Sequence, residues 1–320
     1  MKQLILTLTL ALISTLAFSF EPTKPINVTI GFAPGSGNEL SFRGISSIIE
    51  KSNPNVNFII ENRPGADGVV AMNDFITKPA DGYHLYIPSH QGIFVTAEFF
   101  FPQAKKYTLD DFEYVVSIAK SPLAIIAYHG SDVNTIPELL HKITTTEKPI
   151  TFAAGSGAHK LAFNFMVSKV KVNTELVQTA TYKGPSQAGQ DVAGGHVEFG
   201  IIPVAVAATF ARSGKVKILA LLGEKPIAGL EDIPLMNKWI PDMNVYAAWG
   251  IVLPKGTPKD IQDWYVNIFS KAIKSPEAKK FFDQNYMFID EKELTPAGFK
   301  NSTAQLRKQW IPILQTFKIE

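Results

Sequence analysis

The chain contains no cysteine. That excludes a disulfide framework, thiol catalysis, a lipid-bearing cysteine and thiolate zinc sites. Charge of one sign is also in short supply: 31 Lys and Arg stand against 29 Asp and Glu, a formal net charge of +2. Without a basic surplus or a basic run there is no electrostatic footprint for nucleic acid. Histidine is scarce, with six in 320 residues, and none shows an HExxH or similar spacing, so no metal site is expected. Beyond the first twenty residues no apolar run is long enough to span a bilayer.

Hydrophobic residues make up 46% of the chain, enough for a packed core, and 320 residues suggest two domains. The opening "MKQ" carries one lysine, and "LILTLTLALISTLAF" is apolar but short for a span and dotted with Thr and Ser. Ala17 and Ser19 stand three and one positions before a possible cut, so residues 1–19 are expected to be a cleaved signal peptide. An exported protein without a membrane anchor follows, with a formal charge of +1 once Lys2 is removed.

The remaining chain alternates β-rich and helical patterns, the mark of parallel sheet covered by helices. "INVTIGF" reads as a strand, "LSFRGISSIIEKS" as a helix, "YHLYIPS" as a strand. "FEYVVSIAKSPLAIIAY" (112–128) is long, strand-like and interrupted by Pro122; it reads as two successive strands crossing between domains. "VYAAWGIVLP" reads as a second crossing, and long helices finish the chain. The expected architecture is α/β with two lobes, each a mostly parallel sheet flanked by helices and hinged by two crossing strands. Lobe 1 is expected over 25–123 plus 247–320, and lobe 2 over 124–246.

Two nearly identical hexapeptides, "FAPGSG" (32–37) and "FAAGSG" (152–157), each follow a strand and open a helix. Ligands of open α/β sheets bind at that end of the strands. A helix N-terminus leaves amide hydrogens unpartnered and carries about half a positive charge. Glycine lets backbone approach a guest, and Ser36 and Ser156 add hydroxyls. Neither hexapeptide ends in the Gly-Lys-Ser/Thr of a Walker loop, supplies the third glycine of the dinucleotide fingerprint, or has the Gly-x-Ser-x-Gly of a hydrolase elbow. Two loops facing each other across a cleft would grip a small carboxylate. An anion at a helix end gains roughly 0.3–1 kcal/mol, up to about 2 when partly buried. Hydrogen bonds to a charged group add roughly 1.5–3 kcal/mol each. Together these reach the ~8 kcal/mol of a micromolar site.

These residues resemble the Bug-type receptors of tripartite tricarboxylate transporters. The likeness runs through "FAPGSGNELSFR", "ENRPGADG" (61–68), "PADGYHLYIPS" (79–89), "YTLDDFEYV", "YKGPSQAGQDVAGGHVEFG" (182–200), "SGKVKILAL" and "AWGIVLPKGTP", in family order. It implies a periplasmic binding protein of the type II class, a small organic-acid ligand and two membrane subunits as delivery partners. No cofactor, no catalytic residue and a monomer are expected, and the charge balance leaves no nucleic acid among the partners. The resemblance also implies a carboxylate held by main-chain amides, hydroxyls and bridging waters.

Position by position, the resemblance carries over to Pro34, Gly35, Ser36, Gly37, Asn38 and Glu39 in the first loop, with Ser89 and His90 at the neighbouring strand end. In the second lobe it carries over to Ala154, Gly155, Ser156, Gly157 and His159, to Thr181 and Tyr182, and to Ile202 and Pro203. The chain departs from the family at two places. Asn38-Glu39 stands where many members have Thr-Asp. Glu39 either complements the first turn of its helix or accepts from a ligand. Ile202 stands where many members have a polar residue, which points to an aromatic or aliphatic acid rather than citrate.

His90 and His159 are expected near the cleft as donors, and Tyr182 as wall and hydroxyl. Arg63 is expected in a turn-stabilising ion pair, and Trp249 in hinge packing. Asp at position 37 or 156 should abolish binding and leave the fold. Two other functions stay open: a ligand sensor for a signalling partner, and a hydrolase using Ser156 and His159, for which no orienting acid is visible.

Overall fold

"INVTI" is buried at four of its five positions, because parallel neighbours flank it and helices cover both faces. This strand, β1 (Ile26–Ile30), leads into α1 (Gly37–Ser52), β2 (Phe58–Asn62), α2 (Val69–Phe75) and β3 (His84–Ile87). A π-helical turn over Gly92–Thr96 continues into α3 (Ala97–Phe100), and β4 (Phe112–Tyr128) follows. The second half runs α4 (Ile136–Thr145), β5 (Ile150–Ala154), α5 (Gly157–Lys169), β6 (Val177–Thr181), α6 (Pro185–Ala193), β7 (Phe199–Pro203), α7 (Val204–Arg212), β8 (Val216–Leu222). The chain returns through β9 (Tyr246–Pro254) to α8 (Lys259–Ile273), α9 (Pro276–Gln284) and α10 (Pro296–Leu314). The structure, a computed structural model, describes residues 20–315. The expected signal peptide and the last five residues of lobe 1 lie outside them.

The strands follow the order β2-β1-β3-β9-β4-β7-β5-β6, with β8 also paired to β4. Pairing is parallel at the two ends, where β1 lies between β2 and β3, and β5 between β6 and β7. It is antiparallel through the middle, where β4 meets β9, β7 and β8. The chain thus folds as a two-lobe α/β protein, with β4 pairing in both halves and β9 returning the chain from the second half to the sheet of the first.

The stretch read as two strands is one 17-residue strand. Pro122 breaks no ladder because it stands where the partner changes: Pro122 is the last residue paired with β9, and Leu123 the first paired with β7 and β8. A proline lacks the amide hydrogen a continuous ladder needs, so this junction accommodates it. The helices start where caps allow. Ser36, Thr135, Ser275 and Thr295 each accept from an amide in the following first turn, and Thr135 with Glu138 completes a capping box. Phe165 of α5 meets Trp310 of α10 edge-on at 5.6 Å, an aromatic contact between the two halves. Among the described residues no helix is long and apolar enough to cross a membrane, and no cluster of three metal-ligating side chains occurs.

Candidate functional site

Each hexapeptide carries a strand end into a helix start, and both close on themselves in the same way. The Gly35 amide donates to Glu39 Oε2 at 3.0 Å, and the Gly155 amide donates to His159 Nδ1 at 3.0 Å. In both loops the side chain four residues on thus satisfies the first glycine. Glu39 is 6% exposed and also accepts from Asn62 Nδ2 at 3.3 Å and pairs with Arg43 at 2.6 Å. Its carboxylate therefore serves its own loop.

The serines differ. Ser36 is buried and accepts from the Glu39 amide, capping α1, whereas Ser156 makes no capping bond. Among the described residues, the amides of Gly37 and Asn38 in α1 and of Ser156 and Ala158 at α5 meet no protein acceptor.

His159 is 1% exposed, and burial pushes its imidazole down to about 3. A neutral ring whose Nδ1 accepts carries its hydrogen on Nε2. It can donate to an anion there, but it cannot take a proton from Ser156. His159→Leu should cost about 1–3 kcal/mol of stability by leaving the buried Gly155 amide unpaired, read as a lower urea midpoint.

The two loops meet across a cleft with two chambers. The larger, about 300 Å³, lies between Phe32 and the 64–67 turn on one side and Gly155–Gly157, Lys160 and Thr181–Lys183 on the other, closed by Phe100 and Phe101. The smaller, about 20 Å³, is lined by Gly37, Asn38, Ser89, His159, Pro203 and Trp249, among others. Phe32 and Ser156 border both.

Of the expected site residues, Gly155, Ser156, Gly157, Thr181 and Tyr182 line the larger chamber, and Gly37, Asn38, Ser89, Ser156, His159 and Pro203 the smaller. Pro34, Gly35, Ser36, Glu39, His90, Ala154 and Ile202 line neither. Pro34 and Gly35 form the exposed lip, where Ser186 Oγ reaches across to the Gly35 carbonyl at 3.1 Å. Ala154 ends β5 in the core, its carbonyl accepting from the Tyr182 amide at 3.0 Å. His90 stacks on Phe299 at 4.6 Å, away from both chambers, and burial holds it neutral, well below the usual histidine range. Ile202 is buried in the second lobe, where its methyl faces Gly189. Apolar wall at the larger chamber comes instead from Phe32, Phe100 and Phe101.

Arg63 pairs with Asp74 and Glu61, as a turn-stabilising role requires. Trp249 combines two functions: it borders the smaller chamber and packs so closely on Gly37 that a Cβ there would stand 2.2 Å from its ring. Gly37→Asp would therefore disturb the interior as well as the loop, contrary to the expectation that it leaves the fold intact. Tyr182 presents its ring to the larger chamber while its hydroxyl donates to Asp191 at 2.6 Å; burial and that neighbour push the phenol up to about 12.

The most unusual group was not anticipated. Asp67 of "ENRPGADG" sits in a turn where both Ala66 (φ +47°) and Asp67 (φ +56°) are left-handed. Such geometry costs a non-glycine residue roughly 1–2 kcal/mol. The turn aims the carboxylate across the cleft at the start of α5, where Oδ2 accepts from the Gly157 amide at 2.9 Å and from Thr96 Oγ1 at 3.2 Å. The residue as a whole is half-buried, but Oδ1 is out of solvent contact and has no partner. Burial pushes the carboxyl from 3.8 up to about 7, against the lowering by the Gly157 amide, Thr96 and Lys160. Lys160 is itself held below the usual lysine range by burial, with Asp67 pulling it back up. The local sequence announces a Gly/Pro turn, but it does not reveal a partner ninety residues away.

A family model for the tripartite tricarboxylate transporter family receptor matches residues 48–296. A UPF0065 protein of Bordetella bronchiseptica is 28% identical over 304 residues, covering 93% of this chain and 87% of that one. The periplasmic binding protein BugD superposes with a TM-score of 0.84 at 24% identity, over 92% of this chain and 97% of that one. Rpa4515 of R. palustris, solved with adipate, gives a TM-score of 0.87 at 19% identity over 92% and 97%. These structural likenesses carry the two-lobe fold, and the family model covers most of the sequence. The chain belongs to the tripartite tricarboxylate transporter receptor family.

Proposed function

We propose that this chain is a periplasmic receptor that closes two lobes on a small organic carboxylate and hands it to two membrane subunits of a tripartite transporter. One observation carries the reading: two helix N-termini converge on one cleft, lined by Gly37, Asn38 and Ser156, whose amides are unpartnered. Lys160 and Lys183 add positive charge to the larger chamber, and Phe32, Phe100 and Phe101 add apolar wall. A guest with one ionised end and an apolar body fits that surface. The adipate held by Rpa4515 is likewise a small organic carboxylate, although it has two ionised ends. In this reading residues 1–19 are removed on export, lobe 1 comprises 25–123 and 247–320, lobe 2 comprises 124–246, and the receptor works as a monomer.

A thermal-shift screen of aliphatic, aromatic and hydroxylated carboxylates tests it, since a ligand of the folded form raises the melting temperature by mass action. Ser156→Asp is the companion variant. Aspartate is a good N-cap, so α5 keeps its start, while the added charge faces the guest. We expect acids to raise the melting temperature of the wild type and to leave that of Ser156→Asp unmoved. A panel that shifts neither protein, or both equally, refutes the assignment.

A further inference from the structure

We propose that Asp67 sets the charge of the guest, making the larger chamber a site for monocarboxylates and excluding dicarboxylates. The inference rests on the carboxylate-receptor reading above and adds the class of acid. Among the side chains lining that chamber, the charged ones are Asp67, Lys160 and Lys183. With Asp67 ionised, two cations and one built-in anion leave one positive charge to be balanced by a guest. Asp67 is no loose surface acid. Its turn fixes it in left-handed backbone, Thr96 and the Gly157 amide hold one oxygen, and the other is shielded from water. It also takes the Gly157 amide at the start of α5, so that donor is spent on a carboxylate of the protein's own. A guest anion is left with the neighbouring Ser156 amide and the lysines. A second carboxylate in the same chamber would face Asp67 across a space of about 300 Å³ with no further cation. Like charges brought out of water at such range repel strongly.

The groups facing the Asp67 carboxylate from the elements around it are few. Lys160 comes from α5, Tyr86 from β3, and Tyr107 from the segment before β4. Burial holds both phenols in their neutral form, since each is raised above its ordinary value. Thr96, Gly92 and Gly157 bear no charge. Protonation of Asp67 itself is therefore the change that would turn the chamber toward dianions.

The test compares hexanoate with adipate, two six-carbon acids differing by one carboxylate, by titration calorimetry at about pH 8, where Asp67 is ionised. The wild type should prefer hexanoate by at least about tenfold, or about 1.4 kcal/mol. Asp67→Asn, which keeps the shape and removes the charge, should shift the ratio toward adipate by tenfold or more. Lys183→Gln, at an exposed position the fold tolerates, should shift it the other way. Lowering the pH to about 6 should favour adipate in the wild type but not in Asp67→Asn. A wild type that prefers adipate, or a ratio unmoved by both variants, overturns the selectivity while leaving a carboxylate receptor in place. A folded protein that binds neither acid series overturns the receptor reading and this inference with it.

Discussion

Gly157→Ala should weaken ligand binding by at least about a hundredfold, or about 2.7 kcal/mol, while each lobe stays folded. A Cβ at Gly157 would stand 2.1 Å from Thr96 Oγ1 and 2.4 Å from Asp67 Oδ2. Neither neighbour can step aside. Thr96 is fully buried, and Asp67 is fixed by its own turn. The backbone at position 157 is ordinary helix, so alanine meets no strain there and even favours α5 by roughly 0.5–1 kcal/mol over glycine. The conflict therefore falls between the lobes, and opening the cleft relieves it. Calorimetry should report the lost affinity, small-angle scattering a larger radius, and thermal melting no loss of stability. Affinity within threefold of wild type would show that the Asp67 contact is not part of the closed cleft.

Stability should respond to pH in an unusual way at Asp67. Its carboxyl is raised from 3.8 to about 7, so between those values the folded chain holds a proton that the unfolded chain releases. The contribution of this group is therefore full below about pH 4, falls as pH rises toward 7, and is flat above. At about 1.4 kcal/mol per pH unit, the difference approaches about 4 kcal/mol. His159 works in the opposite sense. Its imidazole is lowered to about 3, so its contribution is full above its ordinary value of 6.5 and is lost as pH falls from there. In the wild type the two slopes oppose each other. Asp67→Asn should unmask the histidine: urea unfolding should show a variant more stable than wild type at about pH 8 and losing that advantage toward pH 4. Parallel stability curves for the two proteins would mean that Asp67 is solvated like any surface acid.

Much of this was readable from local pattern. Strands and helices alternate with clean periodicity, and glycine-serine turns mark where ligands meet such sheets. The pairing of Arg63 with nearby acids followed from a crowded turn. What could not be read depends on distant partners. Pro122 looked like a break because sequence does not show that β4 changes neighbours at that residue. His90 looked like a cleft donor because it follows Ser89, yet it opens the helical turn that precedes the π-helix and stacks on Phe299. Glu39 and His159 carry different chemistry, but the same spacing bends each back to its own glycine. Asp67 lay in plain view, and only the fold brings it to Gly157.

The continuity of β4 has a mechanical consequence. One extended ribbon belongs to both lobes, and its partners change at an imino acid with no hydrogen to donate. Swinging the halves apart then amounts to torsion about the Pro122–Leu123 step, with the ladders on either side intact. The receptor would open and shut elastically, without melting any structure at its waist.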